Sequence, residues 1–246
     1  MRLDGLRLLV AGATGVLGGG IALAAVEGGA RVVPAGRDLQ RLAEVARRLG
    51  GPPGLVFEAY DLDACRELAP AAADLLGGLD AVLVAFGVVA FGRAEDMPAP
   101  VEEHLMAVNA LAPMSVLGGA VHVIGREGAI GALSGVVVDR PTPDTAAYGA
   151  SKAALCGWLS TVRVEQRRNG ITVLDARLPH LDTGLADRAV TGTAPRLPRG
   201  ARTGPWTTAV LDGLVSGAAL LVPDPATGLP RLLMQEPRPT RTATPR

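Results

Sequence analysis

A chain of 246 residues with zero formal net charge at pH 7 has room for one large α/β domain and lacks the basic surface that nucleic acid or an anionic membrane would need. Hydrophobic residues make up 48% but aromatics only 3%, so the core must be assembled from Ala, Val and Leu, with 32 glycines permitting close approach. The two cysteines, Cys65 and Cys156, sit in predicted helices at no metal-like spacing, which suits inert core thiols in a reducing cytoplasm better than a disulfide framework.

In chain order, "MRLDGLRLLVAGATG" offers an apolar run too short for a signal sequence or a membrane span, and it reads as a first strand, "LRLLVA", entering a glycine turn. A helix from about 16 to 27 follows, then the strand "ARVVPA" and a helix from 38 to 49. Pro34 is a blemish in that second strand, because proline removes a ladder donor. "LVFEAY" with a helix from 63 to 76, "DAVLVAF" with 101 to 119 and "GAIGAL" with 146 to 168 repeat the rhythm, and "ITVLDAR" and "AALLV" supply further strands. This alternation predicts a Rossmann-type doubly wound parallel sheet in a three-layer αβα domain over residues 1–235. A loop at about 184–205 reads as mobile, and "QEPRPTRTATPR" has no apolar period, so 236–246 is expected to be a disordered tail.

Gly12, Gly15 and Gly18 lie between the first strand and first helix, where backbone amides and a helix N-terminus can approach a pyrophosphate without interference from Cβ atoms. About 20 residues on, "PAGRD" places Gly36 and Arg37 where an Arg reads the 2′-phosphate of NADP, so NADP(H) is expected over NAD(H). Asp38 would favour NAD instead, but it precedes "LQRLAEV" and is more simply a helix N-cap. Asp61 has two readings of equal weight, an acceptor for the adenine amino group and a loop carboxylate beside the next helix.

Scarcity marks the other end of the site. Of 24 basic residues only Lys152 is lysine, and the chain has two tyrosines, Tyr60 and Tyr148, and two asparagines, Asn109 and Asn169. Tyr148 and Lys152 are four apart on a predicted helix and so share a face. A phenol near pKa 10 needs an adjacent cation to work as an acid or base near neutrality, and a compact ammonium suits that task better than a guanidinium. Asn109 stands in mid-helix, where asparagine has poor propensity, whereas Asn169 in "RRNG" fits a helix-ending turn. His104 reads as a solvated helix residue, and His180 as structural or exposed. No metal site is expected.

The ordered set "AGATGVLG", "YDLD", "DAVLVAFG", "VNA", "YGASK" and "RLPHLDTG", over about residues 5 to 190, resembles the classical short-chain dehydrogenase/reductase family. The resemblance implies an oxidoreductase, a ketoreductase or alcohol dehydrogenase, that interconverts a small-molecule carbonyl and alcohol as a homodimer or homotetramer. It carries general acid/base chemistry to Tyr148, the ribose and pKa-lowering role to Lys152, substrate orientation to a serine, and a proton relay to Asn109. It places the cofactor against Gly12, Thr14, Gly15, Val16, Leu17, Gly18, Arg37, Asp61, Leu62, Ala85, Gly87, Tyr148, Lys152 and Thr183. The rival is a non-catalytic dinucleotide-binding sensor or partner-binding protein on the same fold.

The family's serine lies thirteen residues before the tyrosine, which lands on Gly135; Ser134 lies fourteen before. A one-residue slip on a rigid strand would turn the hydroxyl to the opposite face. The proline-rich "DRPTPD" is a loop able to absorb an extra residue, so Ser134 is expected to serve as the catalytic serine.

Overall fold

The computed structural model describes residues 1–234; the tail expected at 236–246 lies outside them. Eight strands form one open sheet in the order β3-β2-β1-β4-β5-β6-β7-β8, parallel except for the antiparallel β7–β8 pair. They are β1 (Arg7–Ala11), β2 (Arg31–Gly36), β3 (Leu55–Val56), β4 (Leu79–Val84), β5 (Ile124–Leu133), β6 (Thr172–Ala176), β7 (Ala218–Pro223) and β8 (Pro230–Met234). The helices are α1 (Val16–Glu27), α2 (Leu39–Leu49), α3 (Leu62–Leu76), α4 (Ala99–Met106), α5 (Ala112–Val123), α6 (Ala146–Gln166) and α7 (Thr203–Ser216). The expected doubly wound α/β architecture is present.

Both faces of the sheet are covered, which is why its strands read as continuous apolar runs rather than alternating ones. Leu8 and Val10 of β1 pack with Ile21 of α1 and Trp206 and Leu214 of α7. Leu9 and Ala11 point the other way, into a cluster with Leu68 of α3, Leu117 of α5 and Leu159 of α6. Strand order reverses between β1 and β4, so ligands are accommodated beyond the C-terminal strand ends at that switch point.

Local chemistry explains the element boundaries. Asp38 caps α2 by accepting from Arg41 N at 3.0 Å, as the sequence suggested, and Asp61 caps α3 by accepting from Ala64 N at 2.9 Å. Pro34 is tolerated inside β2 because that strand pairs with β3 only at Ala35 and Gly36, so the missing donor faces no partner strand. The third strand shrinks to two residues, since "EAY" turns into the α3 cap. Two elements escaped the sequence reading. Helix α7 takes residues 203–205 from the loop expected at about 184–205, and β8 closes the sheet edge.

The run Ala99–Val123, mean hydropathy 1.4, is long and apolar enough by composition to cross a membrane, but here it is α4, a π-helical turn at Ala107–Leu111 and α5, packed on the domain core. Its fit against α3 depends on Gly119, where a Cβ would fall 2.0 Å from the Arg66 carbonyl oxygen. Gly119→Ala must therefore push α3 and α5 away from each other. It should destabilise the fold by about 2 kcal/mol, read as a lower denaturant midpoint at unchanged m-value.

Candidate active site

At the switch point the first turn is shaped by backbone crowding. Gly12 has φ +94°, and a Cβ there would lie 2.8 Å from the Ala85 carbonyl carbon, because Ala85 N donates to Ala11 O and draws the end of β4 against the turn. A Cβ on Gly18 would lie 2.2 Å from Gly12 O. These glycines let α1 begin directly beneath the turn, with Gly15 at its N-cap, no side chain capping it, and Val16 exposed at its first position. An uncapped helix N-terminus framed by glycines is a ready anion site, so the residues present fit a dinucleotide pyrophosphate. Thr14 and Gly36 meet at the next edge, where a Cβ on Gly36 would be 3.0 Å from the Thr14 methyl. Arg37 beyond it is exposed.

Asp61 and Leu62 sit together at the start of α3. The Asp61 side chain is used as the helix cap, and Leu62 O accepts from Ser115 Oγ at 2.5 Å. His104 is not a freely solvated residue: its ring stacks on Tyr60 at 5.8 Å between centroids, and its Nδ1 lies 2.5 Å from Tyr60 Oη. Thr183 lies in the loop after β6, its carbonyl held by Arg188 Nη2 at 3.1 Å.

The chemical end is assembled by Asn109. This fully buried side chain accepts from Val88 N at 2.9 Å and donates to Val88 O at 2.8 Å and Ser151 Oγ at 3.0 Å, so it rivets the loop after β4 onto α6. Ser151 in turn donates to Tyr148 O. Asn109 lies within the π-helical turn, a local distortion often found at functional positions. A Cβ on Gly87 would fall 2.9 Å from Asn109 Oδ1 and 3.2 Å from Lys152 Nζ, which brings Gly87, Asn109 and Lys152 into one cluster. Lys152, 5% exposed, donates to Leu133 O at 3.1 Å. Burial lowers its ammonium pKa to about 8, against the opposing pull of Cys156 and Asp175. Burial likewise pushes the Tyr148 phenol up to about 12.

Ser134 is not the hydroxyl beside Tyr148. Its Oγ donates to Asp175 of β6, while a Cβ on Gly135 would stand 4.0 Å from Tyr148 Oη. The cause is the sheet ladder, which runs past the end of β5: Ser134 N donates to Ala176 O at 2.9 Å and Val136 N to Leu178 O at 3.0 Å. Residues 134 and 135 therefore keep opposite facings, and the proline loop begins too late to absorb the slip.

The Ser134 bond joins an ion pair that the sequence reading missed, a buried carboxylate with a half-buried arginine. Asp175 also accepts from Arg177 Nε at 2.8 Å, and Arg177 Nη1 reaches Asp139 at 2.6 Å, tying β6 to the turn after Gly135. Cys156 lies beside this network, and burial pushes its thiol up to about 11. A charged residue inside the apolar run "ITVLDAR" was the available signal, since a buried carboxylate demands partners. Ser151 had a similar one, as the residue adjoining the sole lysine.

This arrangement belongs to a dinucleotide-binding α/β fold with a tyrosine and a lysine set beside the cofactor edge. The chain matches the short chain dehydrogenase family over residues 7–193, and it belongs to that family, whose members use nicotinamide dinucleotides. Dehydrogenase/reductase SDR family member 7B of Mus musculus is 28% identical over 201 residues, covering 77% of this chain and 62% of the mouse protein. The chain thus spans less than two thirds of that relative. An uncharacterized oxidoreductase of Myxococcus xanthus is 30% identical over 172 residues, covering 67% of this chain and 68% of its own. In fold, a short chain dehydrogenase from Burkholderia cenocepacia J2315 in complex with NADP superimposes with a TM-score of 0.77 at 23% identity, over 87% of this chain and 92% of the other.

Removing the Ser134 hydroxyl leaves Asp175 one donor short in a buried setting. Ser134→Ala should cost about 1–3 kcal/mol in stability by denaturant titration, with kcat per folded molecule nearly unchanged. A large loss of kcat with stability intact would return Ser134 to the chemistry.

Proposed function

We propose that this protein is an NADP(H)-dependent oxidoreductase that interconverts a carbonyl and an alcohol, working as a homo-oligomer. The observation that carries the reading is Tyr148 and Lys152 on one face of α6, held by the Asn109 rivet beside the glycine turn that fits a dinucleotide. When bound, the cofactor supplies or accepts the hydride at the carbonyl carbon. Tyr148 then gives its proton to the carbonyl oxygen as that oxygen gains charge, or takes it back from the alcohol in the reverse direction. Lys152 contributes positive charge that eases the phenol towards its anion, and its anchor on Leu133 O fixes where that charge sits. Asn109 acts through position, since the hydrogen bonds of its side chain are spent on Val88 and Ser151.

Preference for the phosphorylated cofactor rests on the Gly36–Arg37 edge. Asp38 is occupied as a helix cap, which removes the competing ribose acceptor, and Arg37 makes no ion pair among the described residues. The non-catalytic sensor remains a second reading because of one observation: a glycine, not a serine, faces Tyr148. A panel of ketones, aldehydes and alcohols assayed with both cofactors separates the two. NADPH binding without turnover across the panel selects the sensor.

If Arg37 reads the 2′-phosphate, NADPH should bind more tightly than NADH, and Arg37→Ala should cut that preference by about tenfold or more in fluorescence titration. A wild-type preference for NADH overturns the assignment. The pH dependence follows from the two shifted groups. Reduction needs a protonated phenol, which Tyr148 retains to about 12, and a charged ammonium, which Lys152 loses as pH rises through about 8. The rate of carbonyl reduction should therefore be level below about pH 8 and fall above it. Lys152→Arg, slower overall, should lack that falling limb because guanidinium does not titrate there.

A further inference from the structure

Nothing in the backbone or the packing requires glycine at position 135. Its φ is 179° and its ψ 155°, an extended conformation open to any residue. A Cβ there would meet only Leu178 O at 3.7 Å, Val137 Cγ1 at 3.8 Å and Tyr148 Oη at 4.0 Å, all ordinary contacts. Glycine thus leaves a space the size of a small side chain directly beside the phenol. The nearby hydroxyls are engaged elsewhere: Ser134 donates to Asp175, Ser151 to Tyr148 O and Thr145 to Thr142 O. An oxygen that takes up charge beside Tyr148 can use two donors, and the other walls here, the Val137 side chain and the Leu178 carbonyl oxygen, offer it none.

We propose that the missing donor comes with the substrate: the protein acts on α-hydroxy ketones and the corresponding vicinal diols, whose neighbouring hydroxyl occupies the space at Gly135. This inference rests on the oxidoreductase reading above. In reduction, the carbonyl carbon gains a hydride from the reduced nicotinamide, which is oxidised. The π pair of the carbonyl moves to its oxygen, which takes the Tyr148 proton, and the phenolate is reprotonated from solvent. The vicinal hydroxyl donates a hydrogen bond to the developing alkoxide throughout and is itself unchanged. A substrate lacking it leaves that alkoxide one donor short, while a substrate carrying it needs the room that a serine side chain would fill.

The test is steady-state kinetics with NADPH on matched ketones: 2-hydroxyacetophenone, its methyl ether 2-methoxyacetophenone, and acetophenone, for the wild type and Gly135→Ser. The ether keeps the electronic activation of the hydroxy ketone but cannot donate and is one methyl larger; acetophenone, smaller than the hydroxy ketone, is the comparison in which crowding cannot cause the loss. Wild-type kcat/KM should favour the hydroxy ketone over both others by at least about 10², the typical worth of one oriented donor to an oxyanion. Gly135→Ser should raise kcat/KM for acetophenone at least about tenfold and lower it for the hydroxy ketone, collapsing the ratio. Equal wild-type use of hydroxy ketone and ether overturns the proposal even if Gly135→Ser fails to fold. It is also overturned if the wild type binds NADPH and reduces none of the three while Gly135→Ser does; oxidoreductase chemistry then survives in the scaffold. Failure to bind NADPH at all sinks the oxidoreductase reading itself.

Discussion

The β5–β6 ladder controls the chemistry of this site from a distance. By continuing through Ser134 N and Val136 N onto the backbone after β6, it fixes which of two adjacent residues faces the phenol. Since side chains alternate along an extended strand, a hydroxyl one residue early is delivered to the neighbouring strand rather than to the substrate. The Asp175–Arg177–Asp139 chain then locks that outcome, because it ties β6 to the turn that follows Gly135. Leu133, the last paired residue of β5, supplies the carbonyl that holds Lys152, so one ladder sets both the lysine and the glycine.

Electrostatics at the site follow from the same burial. Lys152 and Tyr148 are each pushed towards their neutral forms by loss of water, the ammonium downward and the phenol upward. Asp175, anchored by Arg177 and Ser134, opposes the shift on the lysine. Below about pH 8 the pair is therefore a neutral phenol and a charged ammonium, and the Leu133 carbonyl and Asp175 offset the cost of burying that charge.

At the nucleotide end the controlling quantity is steric. Gly12 and Gly18 are needed because Ala85, Phe86 and the turn itself come within 3 Å of where their Cβ atoms would be. The same approach sets the end of β4 against β1, so the glycine turn and the loop riveted by Asn109 form one continuous edge.

The sequence by itself determined the doubly wound architecture, because buried parallel strands leave unbroken apolar runs and amphipathic or Ala-rich helices separate them. It also determined the pairing of Tyr148 with Lys152, which depends only on helical spacing, and the cap at Asp38, which is local; for Asp61 it left two readings open, and the structure spends that side chain as the α3 cap. Helix α7 was hidden because "TGPWTTAVLDGLVS" opens with turn-like residues, and β8 because its partner β7 lies across a turn of "DPATG". Only the tertiary structure decided the fate of Ser134, of Asp175 and of Asn109. Each is a polar side chain with a partner between 21 and 42 residues away, and such bonds leave no periodic trace in the chain.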